Sequence, residues 1–279
     1  MIVENALKQA SQILKYHKIK SHELDAQIIL SDIMKVKREF LIVNNYINIS
    51  KKINEKFDKA IKRRINREPV AYIIGQKEFW SQDFTVNYAT LIPRPETELL
   101  IYKVVRFFKG KEINILDIGT GSGCILLSIL KELNYSRGVG IDISKQAIQT
   151  AKVNSKKLNL LNRAKFKVFD INKFHMGKYD LIVSNPPYIP SKDIQNLSKD
   201  ITKYEPLIAL HGGLDGLDLI KKVIYKSGSL LKNNGLIAIE IGNNQYLKVS
   251  GLLKQHKFKE IHKEYDYNHN VRCIMSTKV

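Results

Sequence analysis

The stretch Ile113-Asn-Ile-Leu-Asp117-Ile-Gly119-Thr-Gly121-Ser-Gly123-Cys124 decides the fold. Its first half, Ile113–Ile118, is a short apolar run typical of a buried strand, and the apolar residues of Cys124–Leu133 follow helical spacing. Three alternating glycines join these two parts, and glycine lets a backbone turn tightly and approach a ligand without a Cβ collision. The stretch therefore predicts a strand, a ligand-binding turn and a helix.

Outward from this loop, apolar strand-like runs alternate with helix-like segments. The predicted strands are Ile113–Ile118, Gly138–Asp142, Phe166–Asp170, Leu181–Ser184 and Leu236–Ile241. The helices predicted between them are Cys124–Leu133, Lys145–Leu158 and Asp215–Leu231. Continuous apolar strands that alternate with helices indicate a parallel sheet covered on both faces. The predicted fold class is therefore α/β.

The chain before this sheet has a different pattern. Helical spacing of apolar residues predicts an N-terminal helical domain over residues 1–70, whose third helix, Ile53–Ile65, is rich in Lys and Arg. Pro69 ends that helix. Short β-type runs follow it at Val70–Ile74, Phe79–Val86 and Thr90–Ile92. These runs predict a β-hairpin linker over 71–95, which leaves 96–279 for the α/β domain.

Composition bounds the class of protein. The chain has 279 residues, 44% hydrophobic and 26% charged, which is ordinary for a folded protein and excludes fibrous and disordered chains. No apolar run approaches the length of a membrane span, and Glu4 and Lys8 interrupt any signal-peptide core. Cys124 and Cys273 are too few for a disulfide framework. We therefore expect a cytoplasmic protein with no membrane partner.

The charge balance is strongly basic. There are 46 Lys and Arg against 27 Asp and Glu, a formal net charge of +19. Such a surface attracts polyanions. Two explanations stay open, namely a nucleic-acid footprint and a lysine-rich surface without a specific partner.

The glycine loop has the spacing G-x-G-x-G, and it lacks both the dinucleotide-binding spacing and the Lys-Ser/Thr ending of a phosphate loop. Carboxylates surround it instead: Asp117 precedes the loop, and Asp142 and Asp170 end the next two predicted strands. Asp142 is placed to accept hydrogen bonds from both hydroxyls of a ribose, and Asp170 from an adenine amino group. The ligand that fits is an adenosine with an amino-acid tail and no phosphate, which is S-adenosyl-L-methionine. The predicted cofactor contacts are Gly119, Thr120, Gly121, Ser122, Gly123, Asp142 and Asp170. No metal is expected, because the His residues show no metal-ligand spacing.

The fourth predicted strand runs into the turn Asn185-Pro186-Pro187-Tyr188. Proline fixes φ and has no N–H, so the turn is rigid and presents acceptors without competing donors. The Asn185 side-chain oxygen and the Pro186 carbonyl can each accept one hydrogen of a planar –NH2 group, while Tyr188 offers a flat face for stacking. This turn predicts methyl transfer to the nitrogen of an adenine, a cytosine or a glutamine side chain, with Asn185, Pro186 and Tyr188 as the catalytic residues.

Three motifs together carry a family resemblance: DIGTGSGCI, VGIDIS and IVSNPPYIP. With REPVAYIIGQKEFW, with ATLIPRPETELL at 89–100 and with YEPLIALHGGLDGLDL at 204–219, the chain closely resembles the bacterial protein-(glutamine-N5) methyltransferases. That family methylates the glutamine of the Gly-Gly-Gln loop in peptide chain release factors. The resemblance covers about three quarters of the chain.

The resemblance implies a seven-stranded Rossmann-like class I methyltransferase sheet with an antiparallel last strand, its final two strands being Phe258–Lys263 and Asn270–Ser276. It adds Asn185 to the cofactor contacts and places the substrate glutamine against Asn185, Pro186, Pro187 and Tyr188. Many relatives have an aromatic residue beside adenine where this sequence has Ile171, which can keep only the apolar contact. The helical domain would bind the release factor, with the Arg63–Arg67 face as a docking surface.

Three alternatives belong to other functions. A sister family methylates a glutamine of a ribosomal protein, but its counterpart of the segment Pro93–Glu98 usually has serine and proline in place of the Pro-Glu-Thr run. A DNA or RNA adenine methyltransferase shares the Asn-Pro-Pro-Tyr turn, yet such enzymes generally carry a target-recognition insert, and none is evident. A cofactor-binding module without catalysis would not need Asn185–Tyr188. We therefore expect a release-factor enzyme with no direct nucleic-acid substrate.

Overall fold

The computed structural model describes all 279 residues. Their contacts divide the chain into two units, the first made of Met1–Gln76 and Ser198–Tyr204 and the second of Lys77–Leu197 and Glu205–Val279. These units are defined by packing alone. The functional division at residues 70 and 95 stays a prediction.

Helices and strands follow the chain in the following order. The α-helices are α1 Val3–Tyr16, α2 His22–Met34, α3 Arg38–Val43, α4 Lys51–Ile65, α5 Val70–Ile74, α6 Glu98–Phe107, α7 Cys124–Glu132, α8 Lys145–Lys157, α9 Ser191–Ile194, α10 Lys199–Tyr204, α11 Asp218–Leu230 and α12 Tyr246–Gln255. The strands are β1 Gln76–Phe79, β2 Gln82–Thr85, β3 Asn114–Ile118, β4 Arg137–Asp142, β5 Ala164–Val168, β6 Tyr179–Ser184, β7 Leu231–Glu240, β8 Phe258–Tyr265 and β9 Val271–Lys278. Short 3-10 helices cover Pro95–Thr97, Ile171–Lys173 and Leu207–Ala209.

The first unit is a small helical bundle around its own apolar core, to which α1, α2 and α4 contribute. Arg64 of α4 is buried inside it, where its guanidinium bonds Asp25 of α2 and Asp200 of α10, each at 2.7 Å. Arg63 forms two hydrogen bonds to Glu68, and Arg67 donates to the carbonyl of His17. The expected docking face of Arg63–Arg67 is therefore wrong for Arg64, because its charge is buried in ion pairs.

Residues Val70–Ile74 form a helix, and the strand predicted there is wrong. Pro69 starts the helical turn, and its carbonyl accepts hydrogen bonds from the N–H groups of Tyr72 and Ile73. Gly75 ends it at φ +76°, in the left-handed region that glycine adopts without strain. The β-branched residues are accommodated because they pack on the core of the first unit.

The hairpin is formed by β1 and β2 and is shorter than expected. The predicted run Phe79–Val86 contains its turn, at Trp80 and Ser81, whose φ values are +50° and +54°. The Trp80 backbone N–H donates to Glu98 and its indole N–H to Glu132, each at 2.8 Å, which stabilises this left-handed turn. Thr90–Ile92 is not a strand.

The second unit is built on one seven-stranded sheet with the order β5-β4-β3-β6-β7-β9-β8. The pairs from β5 to β7 are parallel, and β9 runs antiparallel to both β7 and β8. The predicted class I sheet and its antiparallel last strand are confirmed, with ends shifted by a few residues. Buried apolar residues cover both faces of the sheet, in two separate clusters. The sheet therefore presents the carboxyl ends of five parallel strands at one edge.

None of the helices combines the length and the apolar character that crossing a bilayer requires.

Candidate active site

The glycine loop follows β3 at the carboxyl edge of the sheet. Gly119, Gly121 and Gly123 have φ values of +73°, +56° and +81°, a region that side-chain-bearing residues rarely adopt. A Cβ at Gly119 or Gly121 would meet nothing within 4 Å, whereas one at Gly123 would meet Phe166 at 3.1 Å. The first two glycines thus face open space, and Gly123 allows α7 to pack closely on the strands.

Asp142, at the end of β4, ties the loop to the neighbouring strand. Its Oδ2 accepts a hydrogen bond from the Gly121 N–H, and its Oδ1 from the Ser144 N–H, each at 2.9 Å. Burial raises the pKa of this carboxyl, while the two N–H groups lower it. Each carboxylate oxygen accepts more than one hydrogen bond, so Asp142 keeps acceptor capacity for a ligand.

Asp117, the carboxyl group before the loop, is fully buried. Its Oδ2 accepts a hydrogen bond of 2.6 Å from the Thr120 hydroxyl, and its Oδ1 has no hydrogen-bond partner. Burial raises the pKa of Asp117 to about 7. An unpartnered buried carboxylate oxygen is costly in a folded protein, and a site that accepts a cationic ligand is one reason to keep it.

A cleft opens over the loop, and the structure brings part of the predicted set together in it. Its lining includes Gly119, Thr120, Gly121, Ser122, Asp142, Asn185 and Pro187. Gly123, Asp170, Ile171, Pro186 and Tyr188 do not line it. Residues that the sequence did not suggest, among them Thr97 and Arg94, line it as well.

Asp170 and Ile171 lie beyond the end of β5 and not at its last residues. The Asp170 Oδ1 accepts a hydrogen bond of 2.8 Å from the Asn172 N–H and so caps a 3-10 helix. Ile171 is 7% exposed and packs in the core with Phe174. Their contact with adenine stays a prediction.

The Asn-Pro-Pro-Tyr turn follows β6 at the same edge of the sheet, next to the strand that carries the glycine loop. Pro186 is buried, and the other three residues are half-buried. The loop at Gly212 and Gly216 supports the turn so closely that a Cβ would lie 2.7 Å from the Pro187 carbonyl and 2.3 Å from the Tyr188 carbonyl, respectively. The Gln245 amide also donates to the Tyr188 carbonyl.

Behind the turn lies a buried polar network that the sequence did not reveal. The Asn185 Nδ2 donates to the Thr97 hydroxyl, at 3.1 Å. The Tyr188 hydroxyl donates to the Glu240 Oε1, at 3.1 Å, and accepts from the Arg272 Nη2, at 2.9 Å. The only available signal was Glu240 itself, a single carboxylate that ends β7 directly after its apolar run.

Burial raises the pKa of Glu240, while the Thr97 hydroxyl, Arg272 and the Tyr188 hydroxyl lower it. Burial and the nearby Glu240 charge raise the pKa of Tyr188, so its hydroxyl keeps its proton. The Arg272 guanidinium lies 5.4 Å from the centre of the Tyr188 ring, close enough for a cation–π contact. The ring is thus held at both its edge and its face.

One wall of the cleft is held by Glu205, whose carboxylate is almost fully buried. Its Oε1 pairs with Arg94, at 2.5 Å, and its Oε2 accepts a hydrogen bond from the Ile92 N–H, at 3.1 Å. The segment around Arg94 is therefore fixed where it borders the glycine loop.

Cys124 lines the cleft, and burial raises the pKa of its thiol to about 12, so the group stays protonated and unreactive. No three His, Cys, Asp or Glu side chains form a cluster with metal-binding geometry.

The sheet order, the glycine loop and the acid that ends β4 define a methyltransferase of class I. Residues 109–278 match the family model described as "Methyltransferase domain", and residues 5–75 match "PrmC N-terminal domain". The chain is 42% identical to the release factor glutamine methyltransferase of Buchnera aphidicola subsp. Schizaphis graminum, over 98% of each chain. It is 36% identical to that of Clostridium acetobutylicum, over 100% of this chain and 99% of the relative. The chain belongs to the release factor glutamine methyltransferase family.

A solved structure supports the fold independently. A methyltransferase from Pyrococcus furiosus matches with a TM-score of 0.54 at 15% identity, over 79% of this chain and 98% of that one. At this identity the likeness concerns the fold alone.

Proposed function

We propose that this chain transfers a methyl group from S-adenosyl-L-methionine to the side-chain amide nitrogen (N5) of the glutamine in the Gly-Gly-Gln motif of peptide chain release factors. The observation that carries the proposal is the common cleft, which Asn185 lines together with the glycine loop and Asp142. Relatives that match almost the full length of the chain are named for the same substrate and reaction.

The residues of the cleft fit S-adenosyl-L-methionine in charge and shape. Gly119 and Gly121 leave open space where a Cβ would otherwise stand. Asp142 keeps acceptor capacity for ribose hydroxyls. Asp117 is fully buried and does not line the cleft, but its unpartnered Oδ1 is an acceptor directly before the loop that suits a cationic ligand. When bound, the cofactor supplies an electrophilic methyl group on a positively charged sulfur.

The role of the Asn-Pro-Pro-Tyr turn is to prepare a poor nucleophile. An amide nitrogen holds its lone pair in conjugation with the carbonyl, so it attacks weakly. We infer that the Asn185 Oδ1 and the Pro186 carbonyl each accept one hydrogen of the substrate amide, while Tyr188 packs on its plane. Of these three residues only Asn185 lines the cleft, so the contacts of Pro186 and Tyr188 stay predictions. Acceptors placed on both hydrogens favour rehybridisation of the nitrogen and fix its direction, and positioning of this kind supplies up to about 7–11 kcal/mol in favourable cases.

The chain offers no strong base at this turn. The Tyr188 hydroxyl keeps its proton and is already used in bonds to Glu240 and Arg272. The reaction therefore depends on orientation and on electrostatic stabilisation more than on removal of a proton before attack. As the bond from the methyl carbon to nitrogen forms, its bond to sulfur breaks and S-adenosyl-L-homocysteine leaves. The methylated nitrogen is acidic and then loses one proton. No metal is assigned a role, since carbonyl and amide acceptors suffice for the step.

We further propose that the N-terminal helical domain recognises the release factor. Support comes from α4, which exposes Lys51, Lys52, Lys56, Lys59 and Lys62. A release factor acts in translation, so the enzyme would work in the cytoplasm. A direct nucleic-acid substrate is not part of the proposal, although the net charge of +19 makes it worth testing.

The experiment is incubation of the purified protein with labelled S-adenosyl-L-methionine and separate acceptors: a release factor, a ribosomal protein and double-stranded DNA. We expect label only in the release factor, and mass spectrometry should place one added methyl on the glutamine of the Gly-Gly-Gln motif. The Asn185→Ala protein is the matched control and should bind the cofactor but transfer little label. Label in another acceptor, or on another residue, would contradict the proposed function.

A further inference from the structure

Hydrogen bonds behind the Asn-Pro-Pro-Tyr turn converge on Glu240, which is 1% exposed. A guanidinium can only donate, and the Arg272 Nη2 lies 2.9 Å from the Tyr188 hydroxyl oxygen. The Tyr188 proton therefore points to the Glu240 Oε1, 3.1 Å away. Arg272 also lies 3.7 Å from this carboxylate and balances its charge. The donors and the positive charge around Glu240 favour its ionised form against the effect of burial, and its Oε1 acts as an acceptor.

The Thr97 hydroxyl is the second group directed at Glu240. It interacts with the Glu240 side chain and lowers the pKa of its carboxyl, and the Glu240 Oε2 is buried with no hydrogen-bond partner of ordinary geometry. An ionised carboxylate has no proton to give, so the single proton of the Thr97 hydroxyl goes to Glu240. The Thr97 oxygen can then only accept from Asn185, whose Nδ2 lies 3.1 Å away.

This sequence of bonds decides which end of the Asn185 amide faces the cleft. With its nitrogen committed to Thr97, the amide has its oxygen left for a ligand. We propose that Glu240 is a positioning residue that, through Thr97, makes Asn185 present its Oδ1 to the substrate amide. The inference rests on the proposed function, in which that oxygen accepts a hydrogen from the glutamine –NH2 group.

A reversed amide would oppose the reaction. It would present two N–H donors to a substrate group that is itself a donor, and neither hydrogen of the substrate nitrogen would find an acceptor on Asn185. The charge of Glu240 is what excludes this arrangement, because a neutral group at that position can donate to Thr97 and let Thr97 donate to the Asn185 oxygen.

The first test is Glu240→Gln, which keeps the size of the side chain and adds a donor. We expect kcat with the release factor to fall at least about tenfold, and the dissociation constant for S-adenosyl-L-methionine to stay within about twofold. The control is Glu260→Gln, the same change at a half-buried carboxylate that bonds Tyr246 and Ser250. An unchanged kcat in Glu240→Gln would overturn the inference.

A double variant separates positioning from a general loss of structure. The double variant combines Asn185→Asp with Glu240→Gln. In it, the amide at position 240 donates to the Thr97 hydroxyl, and Thr97 donates to the carboxylate at position 185. That carboxylate keeps its second oxygen as an acceptor for the substrate. We expect this double variant to be more active than Glu240→Gln alone. If Glu240 only stabilised the fold, the double variant should be less active than Glu240→Gln alone, because the second substitution would destabilise the protein further.

Thr97 provides an independent test if the Glu240 variants do not fold. Thr97→Ser keeps the hydroxyl and should retain at least about tenfold more turnover than Thr97→Val, with equal cofactor affinity. Equal turnover of the two would overturn the inference. Failure of the proposed function is a separate result, because it is decided by where the wild-type enzyme places the methyl group.

Discussion

Asn154 of α8 donates a hydrogen bond of 2.9 Å from its Nδ2 to the carbonyl oxygen of Ser122 in the glycine loop. The same amide bonds the backbone of Thr85 in both directions, accepting from its N–H at 2.7 Å and donating to its carbonyl at 3.0 Å. One fully buried side chain therefore joins the hairpin, a helix and the loop. It holds the loop without lining the cleft.

Asn154→Ala should destabilise the protein and weaken its cofactor site together. The change leaves the buried Ser122 carbonyl and the half-buried backbone groups of Thr85 without partners, which we expect to lower the free energy of unfolding by about 2–4 kcal/mol. Denaturant unfolding followed by circular dichroism measures this loss, and calorimetry measures the accompanying fall in affinity for S-adenosyl-L-methionine. Asn134→Ala, at an exposed asparagine, is the control and should change neither quantity. If Asn154→Ala were as stable as the wild type, the prediction would be contradicted, because water would then satisfy the backbone groups in place of the amide.

Asp142→Ala should chiefly weaken cofactor binding. The variant loses a carboxylate acceptor in the cleft and frees the Gly121 N–H that this carboxylate holds. Hydrogen bonds to charged groups contribute about 1.5–3 kcal/mol each, so we expect the affinity for S-adenosyl-L-methionine to fall at least about tenfold. Isothermal titration calorimetry measures the dissociation constant for S-adenosyl-L-methionine in the variant and in the wild type.

A matched control for Asp142 is Asp180→Ala, because Asp180 lies near the start of β6, at the opposite end of the strands. It bonds the Asn114 N–H and Lys232, so its loss should affect stability and not cofactor affinity. Unchanged affinity in Asp142→Ala would reject the ribose contact.

The sheet and the glycine loop were predictable because both follow from local patterns. Continuous apolar strands and alternating glycines leave few other folds. The strand predicted at Val70–Ile74 failed for a tertiary reason, since Pro69 and Gly75 enclose one helical turn that packs on the first unit. The hairpin turn at Trp80 was missed because its left-handed backbone is stabilised by carboxylates distant in sequence and not by an Asn-Gly pair.

The candidate site was predictable only in part, for a similar reason. Asp142 and Asn185 stand at strand ends, where the sequence itself locates them. Thr97, Glu240 and Arg272 come from three separate segments, and their contacts with the turn exist only after the sheet has formed. No periodicity or spacing connects such residues.

Arg64→Ala should strongly destabilise the helical unit. The change removes the partner of Asp25, a carboxylate that is itself buried. Breaking a buried ion pair from one side costs about 3–5 kcal/mol, because the remaining charge is left without compensation. Thermal and denaturant unfolding should show this loss, whereas Lys59→Ala, at an exposed lysine of the same helix, should lie within about 0.5 kcal/mol of wild type. Equal stability of the two variants would contradict the role of the buried pair.

Asp117 should make stability depend on pH in the acidic range. Its pKa is raised from the ordinary 3.8 to about 7 by burial, so the folded state keeps a proton that the unfolded state loses between these values. The contribution of protonated Asp117 to the free energy of unfolding is therefore fully present below about pH 4 and is lost as the pH rises toward 7. A shift of this size corresponds to a decline of about 4 kcal/mol in the free energy of unfolding.

Asp117→Asn isolates that contribution when both proteins are unfolded by denaturant at pH values from 4 to 8 without ligand. The amide oxygen still accepts the hydrogen bond of the Thr120 hydroxyl, so the local bond is kept while the titration is removed. The new –NH2 group adds a constant cost, because it occupies the place of an oxygen that has no partner. The constant offset between the two curves of unfolding free energy against pH therefore reflects the cost of the buried –NH2 group. Only their difference in slope reflects ionisation of Asp117. Parallel curves would mean that Asp117 is already charged in the folded protein at pH 5.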